Sequence, residues 1–327
     1  LQAEAALELL GLIDRMTLLG PTLASGAVLA AAAFRRSEDG SGADGGPGGQ
    51  SEGAAAAGPS TSIRPAAGRL PRSVVAAAAA LAAVYALFAL ERLVAFPVTW
   101  DSVGYHLPVA VDWLRRGSLA LPADPHYYEA IPASADLFSM LTVATGWYGL
   151  AEVWNLVSAA AAAGGAYLMA RVVGAGRRGS AVAALVVLGT PMVLHQSFSA
   201  YVDLFVGGFL VASVALAAAA VTGRAAGERP RWALVGSGLA CGLAVGAKAT
   251  AWPVAGLICA GVAAWLLLSS AHRGDRWSLL GLFAAAVAAP GLFWFARNGA
   301  ATGNPAFPLE VVVFGRTLFE GTDPAEI

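Results

Sequence analysis

The segment WDSVGYHLP, residues 100–108, places a carboxylate, a phenol and an imidazole close together, soon after a long apolar run. The carboxylate of Asp101 could accept the proton of an attacking hydroxyl group, as a general base does. The side chains of Tyr105 and His106 could hold a ligand through hydrogen bonds. We therefore predict that Asp101 is catalytic and that Tyr105 and His106 belong to a substrate-binding site around it.

More polar residues occur at the ends of other apolar runs. These are Tyr201 and Asp203, Lys248, which is the single lysine of the chain, and the pair Arg297 and Asn298. Acids combined with a lysine and an arginine are typical of a site for an anionic, phosphate-bearing ligand, because the cations neutralise the phosphate. A carboxylate could instead hold a divalent cation such as Mg²⁺ or Mn²⁺, and Asp203 is the candidate ligand. The alternative is that each group only anchors a helix end at a membrane surface.

The composition places these residues in a membrane protein. Of the 327 residues, 57% are hydrophobic and 13% are charged, and the mean hydropathy is +0.66. An ordinary soluble domain carries about 25% charged residues. The net charge of −1 gives no indication of a nucleic-acid partner.

Apolar runs near the length of a membrane helix, about 20 residues, recur along the chain. We predict an all-α polytopic fold with about eight transmembrane helices, at residues 16–34, 73–95, 148–170, 181–199, 204–223, 232–247, 251–270 and 278–296. The spans 232–247 and 251–270 are nearly continuous, which predicts a tight hairpin or a helix broken near Pro253. The shorter run 132–147 contains Pro132 and Asp136, so we expect a helix that lies at the interface.

The basic residues predict which connections face the cytoplasm. If residues 96–131 face outward, thirteen of the 20 basic residues fall in four connections on the inner side. They are Arg35, Arg36, Arg64, Arg69, Arg72, Arg171, Arg177, Arg178, Arg224, Arg229, Arg231, Arg273 and Arg276. Asp101, Asp203, Lys248 and Arg297 would then line one cavity on the outer, extracytoplasmic side.

The segment after Asp101 has the pattern of a short amphipathic helix. Pro108 suits a first helical turn, and apolar residues alternate with Asp112 and two arginines. We expect this helix to lie in the membrane interface, with Trp113 at headgroup level. In the loop that follows it, residues 117–131, the rings of Tyr127 and Tyr128 could stack on a sugar or simply anchor the loop.

Other patterns are structural. GAGRRG, residues 174–179, lies between apolar runs without a preceding strand, so it is not a dinucleotide-binding loop. Gly238, Gly242 and Gly246 recur every fourth residue, which predicts close helix packing. Cys241 and Cys259 lie in apolar runs and are interpreted as small buried hydrophobes.

Four segments together resemble one family. WDSVGYHLP, TPMVLHQSFSAYVDLFVGGFLVAS, GLAVGAKATAWP and RNGAATGNPAFP are similar, in this order, to blocks of bacterial integral-membrane glycosyltransferases of the GT-C class. The branch is the one related to protein O-mannosyltransferases and the aminoarabinose transferase. The resemblance extends over roughly residues 73–310.

The resemblance implies a transfer reaction at the outer face of the plasma or inner membrane. Enzymes of this class take a sugar from a polyprenyl-phosphate carrier and pass it to a glycan, lipid or protein acceptor. Asp101 would be the essential acid of the first loop. Asp203 matches a second acidic motif, which binds a divalent cation in some relatives, and Lys248 and Arg297 would contact the carrier phosphate.

The chain also departs from the family pattern. Asp101 is followed by Ser102 instead of a second acid, and residues 1–34 carry an extra span ahead of a Gly-, Ser- and Ala-rich cytoplasmic linker, residues 35–72, that we expect to be disordered. Residues 311–327 would begin a truncated C-terminal region. A transporter or lipid flippase, or a non-catalytic membrane assembly protein, remain the alternatives.

Overall fold

The computed structural model describes residues 69–122, 125, 127–223, 230–269 and 272–322. The first expected span, 16–34, and nearly all of the expected linker lie outside these residues. The described part is mostly helical, as predicted.

Eleven α-helices are found in the described ranges, numbered here in chain order. They are α1 Arg72–Val94, α2 Leu107–Arg116, α3 Tyr127–Ala130, α4 Asp136–Val143, α5 Leu156–Val172, α6 Arg177–Leu188, α7 Pro191–Ser197, α8 Asp203–Val221, α9 Pro230–Val245, α10 Trp252–Leu268 and α11 Arg276–Thr302. A π-helical turn, Ser102–His106, precedes α2, and 3₁₀ turns at Tyr148–Glu152 and Ala249–Ala251 precede α5 and α10.

Five helical segments of the described chain are long and apolar enough to cross a membrane. They are Arg72–Val94, Tyr148–Val172, Asp203–Val221, Ala249–Leu268 and Arg276–Thr302. The expected span 181–199 is instead two helices, α6 and α7, bent by 65°. The bend comes just before Pro191, because a proline disfavours α-helical geometry in the preceding residue. Helix α9, which corresponds to the expected span 232–247, has 16 residues and is shorter than the five membrane-length segments.

Small residues bring the long helices close together. A side chain at Gly208 on α8 would overlap the carbonyl oxygen of Ser158 on α5. A Cβ atom at Gly238 would lie 2.8 Å from the carbonyl oxygen of Phe283, and one at Gly242 would lie 2.8 Å from the ring of Pro290, both on α11. The close packing predicted from the glycine repeat is thus confirmed, and it suits helices that lack a hydrophobic driving force for association in lipid.

The segment 132–147 is too short for a helical crossing. The α-helix that it contains, α4, has 8 residues and is about 12 Å long at 1.5 Å per residue. The hydrocarbon core of a membrane is about 30 Å thick. Near its start, the Ser134 amide donates to the carbonyl of Gly246, and at its end the Trp147 indole donates to the carbonyl of Leu93. The segment therefore begins beside the C-terminal end of α9 and ends beside that of α1.

Helix α2 is amphipathic, but its apolar face packs on protein. Trp113 is 2% exposed and stacks on Trp294 of α11, with ring centroids 5.6 Å apart. Trp113 thus contacts protein, because α4 and α11 cover the apolar face of α2. The exposed side of the helix carries an Asp112–Arg116 ion pair.

A β-hairpin follows α11 and departs from the all-α prediction. Strands β1, Val311–Val313, and β2, Arg316–Phe319, pair antiparallel. Asn304 ties the base of the hairpin to the end of α11, since its amide donates to the carbonyls of Leu309 and Glu320 at 2.8 Å each.

Candidate functional site

A cavity of about 250 Å³ lies where the loop after α2, the turn before α10 and the end of α11 meet. Its walls are rich in aromatic rings, with one cation and a few hydrogen-bonding groups. The lining residues are Tyr105, Tyr127, Tyr128, Ile131, Pro132, Lys248, Ala249, Thr250, Trp252, Phe295, Asn298, Pro305, Ala306, Phe307, Pro308 and Leu309.

The π-helical turn carries Tyr105 into this cavity. The Tyr105 ring stacks on Tyr128, with centroids 4.3 Å apart. Burial raises the pKa of the Tyr105 phenol, and the nearby carboxylates of Asp101, Asp136 and Asp203 raise it further. The phenol therefore stays protonated, as a hydrogen-bond donor, in the midst of three acids.

Lys248, which lines the cavity, forms an ion pair with Asp203. The Lys248 Nζ lies 2.6 Å from Asp203 Oδ1, and both side chains are partly exposed. Asp203 is the first residue of α8, and Lys248 precedes the 3₁₀ turn that leads into α10. Because an ammonium has three donors, Lys248 keeps the capacity to bind a second anion.

His106 is placed differently from the expectation that it contacts a ligand. It is 2% exposed, does not line the cavity, and its Nδ1 lies 2.7 Å from Oδ1 of Asp136, which is 4% exposed. The opposite ring nitrogen, Nε2, is buried without a hydrogen-bond partner in the described structure. The imidazole therefore joins the π-helical turn to α4.

Arg297 and Asn298 hold the loop that precedes α4. The Arg297 guanidinium donates to the carbonyls of Leu119, Glu129 and Ala130 and lies 4.7 Å from the ring centroid of Trp294. The buried Asn298 amide donates to the carbonyls of Ala130 and Phe307. Arg297, expected to contact a phosphate, donates hydrogen bonds to three carbonyls of this loop. Asn298 also lines the cavity.

Tyr201 lies in the connection before Asp203, and its ring meets that of His195 edge-on at 6.1 Å between centroids. The carbonyl of Tyr201 accepts a hydrogen bond of 2.8 Å from Asn155. This buried asparagine also donates to the carbonyl of Gln196, so it ties the connection to the start of α5. Tyr201 is absent from the residues that line the cavity.

Two buried acids near the site, Glu152 and Asp136, were not selected from the sequence as functional. Glu152 is 1% exposed and accepts a hydrogen bond of 3.1 Å from Thr99. The available signal was an acid within or beside an apolar run, which is costly to bury without a partner. The identity of the partners depends on contacts between distant segments.

Asp203, the candidate metal ligand, is paired with a cationic side chain, that of Lys248. Among the described residues, no group of three or more His, Cys, Asp or Glu side chains is arranged to hold a metal.

Comparison with known proteins adds no assignment. No protein-family description, no curated protein and no solved structure matches the chain.

Proposed function

We propose that this protein is a membrane glycosyltransferase that moves a sugar from a polyprenyl-phosphate donor to an acceptor. The observation that carries the proposal is that Tyr105 and Lys248 line one aromatic cavity at the ends of membrane-length helices, with Asp101 close to the Tyr105 phenol and Asp203 paired with Lys248. These residues come from three separate connections of the chain. The resemblance of the sequence segments to GT-C transferases supports the same reaction class.

Each group has a role in the proposed reaction. The acceptor hydroxyl oxygen forms a bond to the anomeric carbon of the sugar, and the bond from that carbon to the phosphate oxygen breaks with its electron pair. Asp101 takes the hydroxyl proton. Lys248, oriented by Asp203, stabilises the negative charge on the departing phosphate.

The aromatic walls suit the sugar. The rings of Tyr128, Trp252, Phe295 and Phe307 offer apolar faces for the C–H groups of a sugar ring. The protonated Tyr105 phenol and the Thr250 side chain, which both line the cavity, supply hydrogen bonds to hydroxyl groups. Arg297 and Asn298 act by holding the loop that completes the cavity.

We place the cavity on the extracytoplasmic side of the plasma or inner membrane. In this arrangement Asp203–Val221 and Arg276–Thr302 cross the membrane, as do the bent pair α6–α7 and the shorter α9. Helices α2 and α4 lie at the outer membrane surface, and with the span at 16–34 the chain crosses about eight times. The arginines of the connections after α5 and before α11 would then remain in the cytoplasm.

The test is sugar transfer in membranes that contain the protein and a labelled polyprenyl-phosphate sugar. Asp101→Asn should abolish transfer, whereas Asp112→Asn, which neutralises an exposed acid on α2 outside the cavity, should leave it unchanged. Both variants must insert to wild-type levels. Normal transfer by Asp101→Asn would refute the assigned role.

Mass spectrometry after gene deletion tests the reaction class itself. A transferase predicts accumulation of a lipid-linked sugar together with loss of one glycoconjugate. If the protein is a flippase, deletion should change the leaflet in which the lipid-linked sugar is found. The purified protein should then form no glycosidic bond. A non-catalytic assembly protein predicts that Asp101→Asn complements the deletion fully.

A further inference from the structure

The π-helical turn Ser102–His106 separates Asp101 from helix α2. The amide of Leu107 closes the turn on the carbonyl of Ser102, five residues earlier. π-Helical turns are rare and occur often at functional sites. Such a turn needs support from its surroundings, and here each of its ends contacts a different part of the protein.

Ser102 begins the turn and is fully buried. Its hydroxyl oxygen accepts a hydrogen bond of 2.9 Å from the amide of Ala200. It also contacts the hydroxyl of Thr99, which donates to Glu152 Oε1 at 3.1 Å. A polar chain therefore connects the backbone before α8, the start of the π-helical turn and a buried carboxylate.

Glu152 is fixed from the other side by the end of α1. Its second oxygen, Oε2, lies 3.6 Å from Nη1 of Arg92. The 3₁₀ turn that carries Glu152 is pressed on α1, since a side chain at Gly149 would overlap the Arg92 carbonyl oxygen. The Glu152 carboxylate, held in place by Arg92, therefore anchors Thr99, which lies just before Asp101.

His106 ends the π-helical turn and is held by a second buried carboxylate, that of Asp136. The bond joins Nδ1 to Oδ1 at 2.7 Å, between side chains that are almost completely buried. The two acids lie on different elements, Glu152 ahead of α5 and Asp136 at the start of α4. They therefore fix the two ends of the turn independently.

We infer that Glu152 and Asp136 are positioning residues that clamp the π-helical turn and so hold Asp101 beside Tyr105, which lines the cavity. Without the clamps, the turn would shift by one residue toward α-helical register. One residue corresponds to about 100° of rotation about a helix axis with 3.6 residues per turn. Asp101 would then point away from its present direction relative to α2.

The first experiment measures the clamp without any activity. A spin label is attached to Val103→Cys, an exposed position on the turn, after Cys241 and Cys259 are replaced by alanine. Thr99→Val and Asp136→Leu should each sharpen the electron paramagnetic resonance spectrum by freeing the turn. Thr99→Ser and Asp136→Asn, which preserve a hydrogen-bonding group, should retain most of the wild-type spectrum.

A matched control removes buried hydrogen bonds elsewhere. Ser213 on α8 and Ser237 on α9 each donate to the other's carbonyl at 2.9 Å. Replacing both by alanine should lower thermal stability and leave the Val103 label unchanged. A spectrum that responds to this control as strongly as to Thr99→Val, or that responds to neither clamp variant, would overturn the inference.

The second experiment measures sugar transfer and rests on the proposed function. Thr99→Val and Asp136→Leu should lower kcat about a hundredfold with little change in KM, the size expected for a catalytic group misplaced by about 1 Å. The serine double variant should keep wild-type kcat. A freed label with normal kcat would refute the positioning role, whereas absence of transfer by wild-type protein would refute the proposed function and leave the spin-label result to decide the clamp.

Discussion

The Nζ of Lys248 lies 2.6 Å from Oδ1 of Asp203 and joins the connection before α10 to the first residue of α8. The two residues are 45 positions apart in the sequence. Lys248 lines the same cavity as Tyr105, and its pairing with Asp203 places an acid directly behind that cation.

Replacing Lys248 should affect transfer more than folding. Because the pair is partly exposed, Lys248→Met should lower the free energy of unfolding by about 1 kcal/mol or less. It should nevertheless reduce transfer strongly, and Lys248→Arg should restore part of it. Thermal unfolding in detergent and the transfer assay measure the two effects, with Arg273→Met, an exposed cation before α11, as control. A loss of activity that follows unfolding would contradict the assignment.

The raised pKa of Tyr105 predicts how stability depends on pH. In the unfolded chain the phenol ionises near its ordinary pKa of 10.0, whereas in the folded protein burial and three acids keep it protonated to higher pH. The contribution of Tyr105 is therefore fully present below about pH 10 and is lost as the pH rises toward the folded pKa.

Thermal unfolding between pH 8 and 11, roughly the range in which a phenol begins to ionise, tests this dependence. Wild-type protein should lose stability above about pH 10 more steeply than Tyr105→Phe. Tyr167→Phe, which changes a tyrosine inside α5, serves as control. Equal slopes for wild type and Tyr105→Phe would show that the phenol is not held in its neutral form.

Replacing Arg297 should loosen the segment 117–131. Arg297→Met removes the hydrogen bonds to the carbonyls of Leu119, Glu129 and Ala130 and should expose the segment 117–131 to protease. Arg297→Lys should restore little, because an ammonium cannot reproduce the planar fork of a guanidinium. Limited proteolysis with site mapping gives the answer, and wild-type cleavage rates in Arg297→Met would contradict it.

Replacing Gly242 should destabilise the protein, because it would force α9 away from α11. In Gly242→Ala the new methyl group would overlap the Val287 carbonyl oxygen and lie 2.8 Å from Pro290, so the helices must move apart. We expect destabilisation of about 1–3 kcal/mol, the usual cost of overpacking. Gly256→Ala on α10, where a Cβ has open space, should be neutral. Similar unfolding temperatures for the two variants would contradict close packing at Gly242.

The sequence was informative where a property is local. Membrane-length apolar runs predicted four of the five long helices within two residues at each end, whereas the fifth, Arg276–Thr302, continues six residues past the predicted end at 296. The glycine repeat predicted that α9 packs closely against another helix, and the structure shows that this helix is α11. The break at Pro191 was also present in the sequence as a proline inside an apolar run. Apolar length alone does not reveal this break, because hydropathy ignores the backbone restriction that a proline imposes on the residue before it.

The sequence predicts the contacts of individual site residues less well. His106 and Arg297 were selected because polar groups at helix ends could bind a ligand. In the structure, the first pairs with buried Asp136 and the second holds three loop carbonyls. These contacts join distant parts of the chain, since Asp136 is 30 residues from His106 and the loop carbonyls are at least 167 residues from Arg297.

By itself, the sequence determined that the chain forms apolar helices and that its polar residues collect at their ends, because hydropathy acts through composition over one helix length. Only the tertiary structure decided which polar groups meet, which acids are buried and which residues enter the cavity. Hydrogen bonds and ion pairs require contact within about 3–4 Å, and such distances follow from how whole helices pack against one another.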